Sequence, residues 1–202
     1  VCSSDLRDIL PGDYKYEDWN GDGEINGQDE HPFAFDQTPW LQFSLNAGLQ
    51  WKNLDFNMLL QGSALGSMEY KEPLHEIWGK NGGGALTQFL DRWHPVDPKA
   101  DPYDPSTVWT SGHYAYTGRW AKNNSAFNRV STAYLRLKSI ELGYTFPKLK
   151  QIPNASLRIY ANAYNLLTFT GVKFVDPEHP DDDLGRMYPL NKTYTLGVSL
   201  SF

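Results

Sequence analysis

The last ten residues of the chain alternate without interruption between large apolar and small polar side chains. Successive side chains of a β-strand point to opposite faces, so this segment predicts a strand with one apolar and one polar face. A strand of a membrane barrel, with lipid outside and a wet interior, has this pattern. A soluble sheet with one solvated face has it too, so the choice depends on whether the pattern repeats. The apolar positions are Tyr194, Leu196, Val198, Leu200 and Phe202.

The alternation does repeat, and the chain contains five amphipathic segments of this kind. The four earlier ones are residues 41–51, 54–61, 133–146 and 157–164. Lys52-Asn53 joins the first two, which predicts a hairpin of strands long enough to cross a bilayer at a tilt. The alternation slips by one residue near Lys138-Ser139. This slip predicts either a β-bulge or a strand whose two halves bury different faces.

The polar faces favour a barrel over a soluble sandwich. They consist mostly of Gln, Asn, Ser, Thr and Gly, with few charges, which suits a water-filled or plugged lumen. Aromatic residues gather near the strand ends, as in the aromatic girdles of membrane barrels. Five strands cannot close a barrel, and open edges in lipid would leave backbone groups unpaired. We therefore expect an all-β chain that supplies the C-terminal five antiparallel strands of a large transmembrane β-barrel.

Composition excludes several other classes of protein. The chain has 202 residues and a formal net charge of -6, which argues against nucleic-acid binding. No Ser/His/Asp or Cys/His nucleophile arrangement and no phosphate-binding glycine loop is visible, so we expect no enzymatic activity. Residues 1–6, VCSSDL, read as an artefactual tail and contain the single cysteine, Cys2. We expect residues 7–202 to be the barrel part.

The connections between the strands predict an orientation. Outer-membrane barrels have short periplasmic turns and long external loops, and their last strand ends at the periplasm. Counting back from Phe202 makes residues 171–192 external, residues 147–154 periplasmic, a stretch of about 67–130 external and Lys52-Asn53 periplasmic. Short and long connections thus alternate as this topology requires.

An acidic loop in the first external segment, residues 18–29, resembles a calcium-binding loop. Carboxylate and amide oxygens at alternating positions, a glycine at position six and a carboxylate at position twelve are typical of EF-hand loops. The alternative is an acidic turn that binds nothing. The predicted Ca²⁺ ligands, with the site structural rather than catalytic, are Asp18, Asn20, Asp22, Glu24 and Asp29.

The long external loop is rich in aromatic residues. Trp93, Trp109 and Trp120 are candidates for stacking on a substrate, although aromatic side chains in a long loop also pack the loop on itself.

Several motifs, in order, resemble the C-terminal barrel region of the SusC/RagA family of TonB-linked outer-membrane transporters. They are PGDYKYEDWNGDGEINGQDE, FLDRWHP, STAYLRLKSIELGYTFP, SLRIYANAYNLLTFTG, DPE and YPLNKTYTLGVSLSF. The resemblance implies a 22-strand barrel in the Gram-negative outer membrane, surrounded by its lipid, with an N-terminal plug and a TonB box outside this chain. It implies partnership with the TonB complex and with a SusD-like lipoprotein, and import of a glycan or peptide substrate. It also implies that the insertion machinery reads Phe202 as an assembly signal.

Two alternatives remain open. One is a different TonB-dependent receptor, for a siderophore or a vitamin. The other is a secreted β-rich binding module with a calcium loop.

Overall fold

The structure is a computed structural model, and it consists of β-strands, short 3₁₀ turns and loops. No α-helix occurs in the part of the chain that it describes, and no helix there has the length and apolarity needed to cross a membrane. The described residues are 9–75, 86–117, 125–147, 155–179 and 187–202. The predicted tail, residues 1–6, lies outside them.

The chain divides into two compact units, Phe35–Met68 with Val130–Phe202 and Val1–Ala34 with Glu69–Arg129. The first unit holds a five-stranded antiparallel sheet of order β1-β2-β7-β8-β9. Two short ladders pair β3 with β6 and β4 with β5. The strands are β1 Leu41–Trp51, β2 Leu54–Ala64, β3 Ser67–Glu69, β4 His94–Pro95, β5 Trp109–Thr110, β6 Arg129–Ser131, β7 Tyr134–Phe146, β8 Ser156–Thr170 and β9 Thr193–Ser201.

The five-stranded sheet has one continuous apolar face. Residues directly opposite each other in a ladder share a face, and the register places the apolar residues of all five strands opposite one another. Near the middle of the sheet, Ile140 pairs with Met58 on one side and with Ala163 on the other. Large side chains of this face are exposed, including Leu45 and Leu196. The sheet therefore presents a broad apolar surface that no part of the described chain covers.

The predicted β-bulge lies at Lys138 and explains the slip in the alternation. In the ladder with β2, Leu137 and Ser139 pair with consecutive residues, so that Lys138 is passed over. The ladder with β8 also shifts between Leu137 and Ser139. Leu135 and Leu142 lie on opposite sides of the bulge, yet their register partners place both on the apolar face. The bulge thus restores the phase, and the two halves of β7 do not bury different faces.

Strand β8 is longer than the sequence pattern predicts. It continues to Thr170, whereas the simple alternation ends near Ala163. Asn165 has a positive φ of 52°, a conformation that Asn tolerates better than most residues, and the register shifts beside it. The irregularity displaces the alternation, which resumes with Leu167 and Phe169 on the apolar face.

The strand connections fall into two classes at opposite ends of the sheet. We call the end with Lys52-Asn53, residues 147–155 and Phe202 the short-turn end. The other end, where residues 65–133 and 171–192 connect the strands, is the long-connection end. Ser156 opposite Ser201 and Leu54 opposite Tyr144 mark the short-turn end, and Tyr134 opposite Thr170 marks the other.

The second unit is held together by aromatic side chains. Phe89 is fully buried and packs edge-to-face on Tyr114, with ring centroids 4.7 Å apart, and Phe127 packs against the pair. Trp93 lies directly over Gly12, where a Cβ atom would come 2.3 Å from Cδ1 of the indole. Because Gly12 also has a φ of +88°, both conformation and space require glycine there.

Candidate functional site

The polar face of the sheet carries the candidate site. The sequence pattern predicts five charged side chains on this face; the register places four of them there, and the fifth, Lys138, lies at the bulge. Arg136 and the other three belong to two separate clusters near opposite ends of the sheet. The four residues are Asp55, Arg136, Glu141 and Arg158.

The cluster nearer the long-connection end is centred on Arg136, whose side chain is only 1% exposed. Its Nη2 lies 2.5 Å from a carboxylate oxygen of Asp176, and its Nη1 donates to Glu178. Its Nε donates to Oγ1 of Thr168 at 3.0 Å. The hydroxyl of Tyr134 donates to the other oxygen of Glu178 at 2.8 Å, and the guanidinium lies 5.2 Å from the centre of the Tyr134 ring. A buried cation is thus fully paired, which its burial requires.

This cluster fixes a loop segment on the polar face. Asp176 and Glu178 belong to the connection after β8, and Arg136 holds both of them against the first residues of β7. Val172 and His179 of the same segment are buried. The backbone N–H of His179 donates to the carbonyl of Asp176 at 2.9 Å, so the segment also has a turn of its own. The beginning of this connection therefore folds inward over the sheet.

Beside this cluster, a cavity of about 720 Å³ opens on the polar face. This volume lies within the range of about 300–1,000 Å³ that is usual for small-molecule sites. Two of its lining residues, Ser63 and Thr132, have a buried hydroxyl oxygen with no hydrogen-bond partner among the described residues. The cavity is lined by Gln37, Pro39, Gln42, Phe43, Ser44, Leu59, Gln61, Gly62, Ser63, Thr132, Tyr134, Pro177, Glu178 and His179.

The second cluster, nearer the short-turn end, spans three strands. Arg158 of β8 donates through Nε to Asp55 of β2 at 3.1 Å and pairs with the same carboxylate through Nη2. Nη2 also lies 2.7 Å from Glu141 of β7. Between them lies Gly143, where a Cβ atom would come 2.5 Å from Nη2. The glycine leaves the space that lets the arginine cross β7, because any side chain there would meet the guanidinium.

Sequence reasoning placed these charges on one face but did not find the partners of Arg136. Asp176 and Glu178 lie about forty residues later, in a connection with no strand periodicity. The nearest indication in the sequence is the DPE motif, in which two carboxylates flank a proline. The motif does not indicate which basic residue these carboxylates pair with.

The predicted calcium loop, in the second unit, has the backbone of a tight Asx-rich loop. Both oxygens of Asp18 accept hydrogen bonds, from the N–H groups of Gly21 at 2.7 Å and of Gly23 at 2.8 Å. Asn20 accepts from the N–H of Asp22 at 2.8 Å, and Asp22 accepts in turn from Glu24 at 2.8 Å. Gly23, at position six of the motif, has a φ of +86°. The side chains at alternating positions thus fold inward to the backbone.

Asp29 closes this loop at position twelve. Its carboxylate accepts from the N–H groups of Asn26 at 2.8 Å and of Trp19 at 2.9 Å. The hydrogen bond from Asn26, with further ones from Asn20 and Trp19, holds the pKa of the Asp29 carboxyl below its ordinary value. Within the described ranges, no three His, Cys, Asp or Glu side chains are grouped so that they could hold a metal ion.

Two of the three candidate tryptophans, Trp93 and Trp109, lie in the described part of the chain, and each packs on its own neighbours. The indole of Trp93 packs over Gly12, and the backbone N–H of Trp93 donates to the carbonyl of Tyr114 at 2.9 Å. Trp109 packs edge-to-face on Tyr116, with ring centroids 5.2 Å apart. Trp120 lies outside the described residues. The two described indoles are half-buried and therefore take part in the packing of their own unit.

Phe202, the candidate assembly signal, follows the last paired residue of β9 and is 96% exposed. It lies at the short-turn end. At this exposure, the ring contributes little to the packing of the described sheet.

We predict that Arg136→Ala releases the inward-folded segment. Asp176 and Glu178 would then repel each other on the sheet, at a cost of about 3 kcal/mol, the low end for breaking a buried pair because both carboxylates are partly exposed. Hydrogen exchange of residues 172–179 in the folded protein should accelerate. Arg158→Ala, which breaks the other cluster, should leave exchange in this segment unchanged. Equal exchange in wild type and Arg136→Ala would contradict the prediction.

Comparison with known proteins gives two kinds of relative. No protein-family model matches the chain. TonB-dependent receptor P3 of Formosa agariphila is 28% identical over 211 residues, which cover 96% of this chain and 19% of the receptor. TonB-dependent receptor P26 of the same organism is 28% identical over 218 residues, which cover 100% of this chain and 21% of the receptor. The chain thus spans about a fifth of the length of these curated relatives.

Solved structures agree on the fold. The RagAB peptide importer in its "open-open" state matches with a TM-score of 0.60 and 22% identity over 89% of this chain and 19% of that chain. The RagAB peptide transporter matches with a TM-score of 0.62 and 21% identity over the same shares. These relatives are receptors and transporters rather than enzymes, in agreement with the expected absence of enzymatic activity. The chain is similar to TonB-dependent receptors over nearly its whole length, and the resemblance predicted from its motifs is confirmed.

Proposed function

We propose that this chain forms the C-terminal five strands of a 22-strand β-barrel, part of a TonB-dependent importer in the outer membrane of a Gram-negative bacterium. The observation that carries the proposal is the exposed apolar face that continues across all five strands, opposite a polar face. In water such a surface would drive aggregation, whereas in a bilayer it faces lipid. The outer edges of β1 and β9 would pair with the rest of the barrel, since unpaired edges are unfavourable in lipid.

In this proposal the polar face lines the lumen and the short-turn end faces the periplasm. The long connections are then external, with the segment held by Arg136 folded into the outer half of the lumen. This orientation agrees with the general rule that barrels of this kind have short periplasmic turns and long outer loops.

The importer would take up peptides or oligosaccharides together with a SusD-like lipoprotein, and TonB would drive it through regions outside this chain. RagAB, whose solved structures resemble this chain, is a peptide importer, which favours peptides as the substrate class. Trp93, Trp109 and Trp120 would lie on the external side. Aromatic side chains placed there can stack on a substrate before it enters the lumen.

The membrane position of the sheet is tested with two neighbouring residues of β9. Leu196 lies on the apolar face and Thr195 on the polar face. In the complete receptor, Leu196→Arg should cost about 2–4 kcal/mol because a charge near the middle of the bilayer must leave water. Outer-membrane abundance and TonB-dependent peptide uptake should fall for Leu196→Arg, and Thr195→Arg should retain both. Equal abundance of the two variants, or a soluble monomeric protein, would favour the secreted binding module instead.

A second proposal concerns the acidic loop, which would bind a structural Ca²⁺ ion through Asp18, Asn20, Asp22, Glu24 and Asp29. The positive φ of Gly23 at position six and the inward fold of the alternating oxygens support it. Carboxylate oxygens that accept one hydrogen bond keep a further lone pair, so a cation can bind without displacing the backbone N–H groups. The loop would then tether the external segment in one conformation.

Calorimetry on the complete receptor measures this calcium binding. Asp22→Ala should weaken Ca²⁺ binding at least about tenfold, because it removes one charged ligand, and Glu30→Ala just outside the loop should not. Affinity should also fall at acid pH. Asp29, whose pKa is lowered in the folded loop, is ionised at neutral pH and loses its charge as the pH falls through that lowered value. The absence of Ca²⁺-dependent heat up to millimolar concentrations would refute the proposal.

The third proposal is that Phe202 acts as the assembly signal of the barrel. Phe202→Ala should lower the amount of receptor in the outer membrane several-fold, while the thermal stability of receptor that has inserted changes little. Tyr194→Ala, at the other end of the same strand, is the matched control for losing an exposed aromatic ring. Quantitative blotting of outer-membrane fractions and heat-modifiable gel mobility measure the two effects. Unchanged abundance of Phe202→Ala would speak against the signal.

A further inference from the structure

Two buried hydroxyl groups in the cavity on the polar face lack a partner. Ser63 is 4% exposed and Thr132 is 5% exposed, and their hydroxyl oxygens make no hydrogen bond within the described part of the chain. A buried polar group without a partner is unfavourable, so nearly all such groups in proteins are paired. Both residues line an open cavity, so a molecule bound there lies next to them. A ligand that pairs with both would remove this penalty.

The charges beside the cavity select against an anionic ligand. Arg136 faces two carboxylates, Asp176 and Glu178, so the cluster carries one net negative charge. Arg136 is buried and already paired, whereas Glu178 lines the cavity with its side chain about a third exposed. Among the described residues that line the cavity, no Lys or Arg side chain is present to pair with an anion, which would instead meet this carboxylate. A neutral ligand or one with a positive group fits the electrostatics.

The lining favours a peptide over a sugar. Gln37, Gln42 and Gln61 present amide groups, each of which donates and accepts as a peptide backbone does. Sugar sites commonly offer the face of an aromatic ring. Of the two aromatic residues that line the cavity, Tyr134 is buried beside the guanidinium of Arg136, and Phe43 belongs to the apolar side of β1 and lies over Gly62.

We propose that this cavity is a subsite for a short peptide that carries a basic side chain or a free amino group. The hydroxyls of Ser63 and Thr132 bind the peptide backbone, and the carboxylate of Glu178 faces the positive group. This inference rests on the proposed function as an importer, because it names the substrate chemistry and the lumen residues that recognise it.

The test uses the complete receptor and two peptides made of Ser, Gly and Ala, one with two Lys residues and one with two Glu residues at the same positions. Calorimetry on purified receptor should show tighter binding of the lysine peptide. Ser63→Ala combined with Thr132→Val should weaken binding of the lysine peptide about tenfold, the combined size expected for two neutral hydrogen bonds. Glu178→Gln keeps the shape of the side chain and should remove most of the preference for lysine over glutamate.

The matched control makes the same two substitutions elsewhere on the polar face, as Ser199→Ala combined with Thr195→Val on β9. It should bind both peptides as wild type does. If the cavity variant and this control behave alike while cells still import the peptides, the subsite is wrong and the importer stands. If wild type takes up neither peptide, peptide import itself fails. Tighter binding of the glutamate peptide, or equal competition by a neutral oligosaccharide, would also overturn the subsite.

Discussion

The five long strands of this protein keep most of their large apolar side chains on one side of the sheet, and the rest of the structure depends on this constraint. A strand has a period of two residues, so a single inserted residue would turn every later side chain to the other face. Strand β7 contains such an insertion at Lys138, and the bulge absorbs it. The irregularity beside Asn165 in β8 lies opposite this bulge, in the ladder that pairs β7 with β8. The apolar face therefore continues from one edge of the sheet to the other.

The opposite face is polar but not uniformly so. Both arginines of this face form ion pairs. Arg136 pairs with two carboxylates of the segment after β8, and Arg158 pairs with one carboxylate of β2 and one of β7. Because an unpaired charge on a half-buried sheet is costly, the pairs of Arg136 determine where the segment after β8 lies. The inward-folded segment and the cavity beside it both follow from the position of Arg136. In the proposed importer, this arrangement narrows the lumen and supplies its recognition groups together.

The strands and the bulge could be predicted from the sequence because both are local properties, read from alternation and from one break in it. The end of β8 was predicted too early, since Asn165 breaks the alternation and short patterns on either side of a break do not reveal that one strand continues. The partners of Arg136 were not predictable, because pairing across forty residues depends on how a loop folds. The cavity was not predictable for the same reason, because residues of that loop form part of its lining. The acidic loop has the predicted glycine conformation at Gly23, and its metal stays a proposal.

The crossing of Arg158 over Gly143 has a consequence for how the strands can slide. A shift of one strand by two residues relative to its neighbour leaves each face as apolar or polar as before, so the faces alone do not penalise it. The backbone ladder would also re-form after such a shift. The ion pair between Arg158 and Asp55 would not re-form after the shift. The space at Gly143 and the carboxylates of Asp55 and Glu141 would then lie out of reach of the guanidinium. This single side chain therefore selects one alignment of three strands among several that hydrophobicity permits.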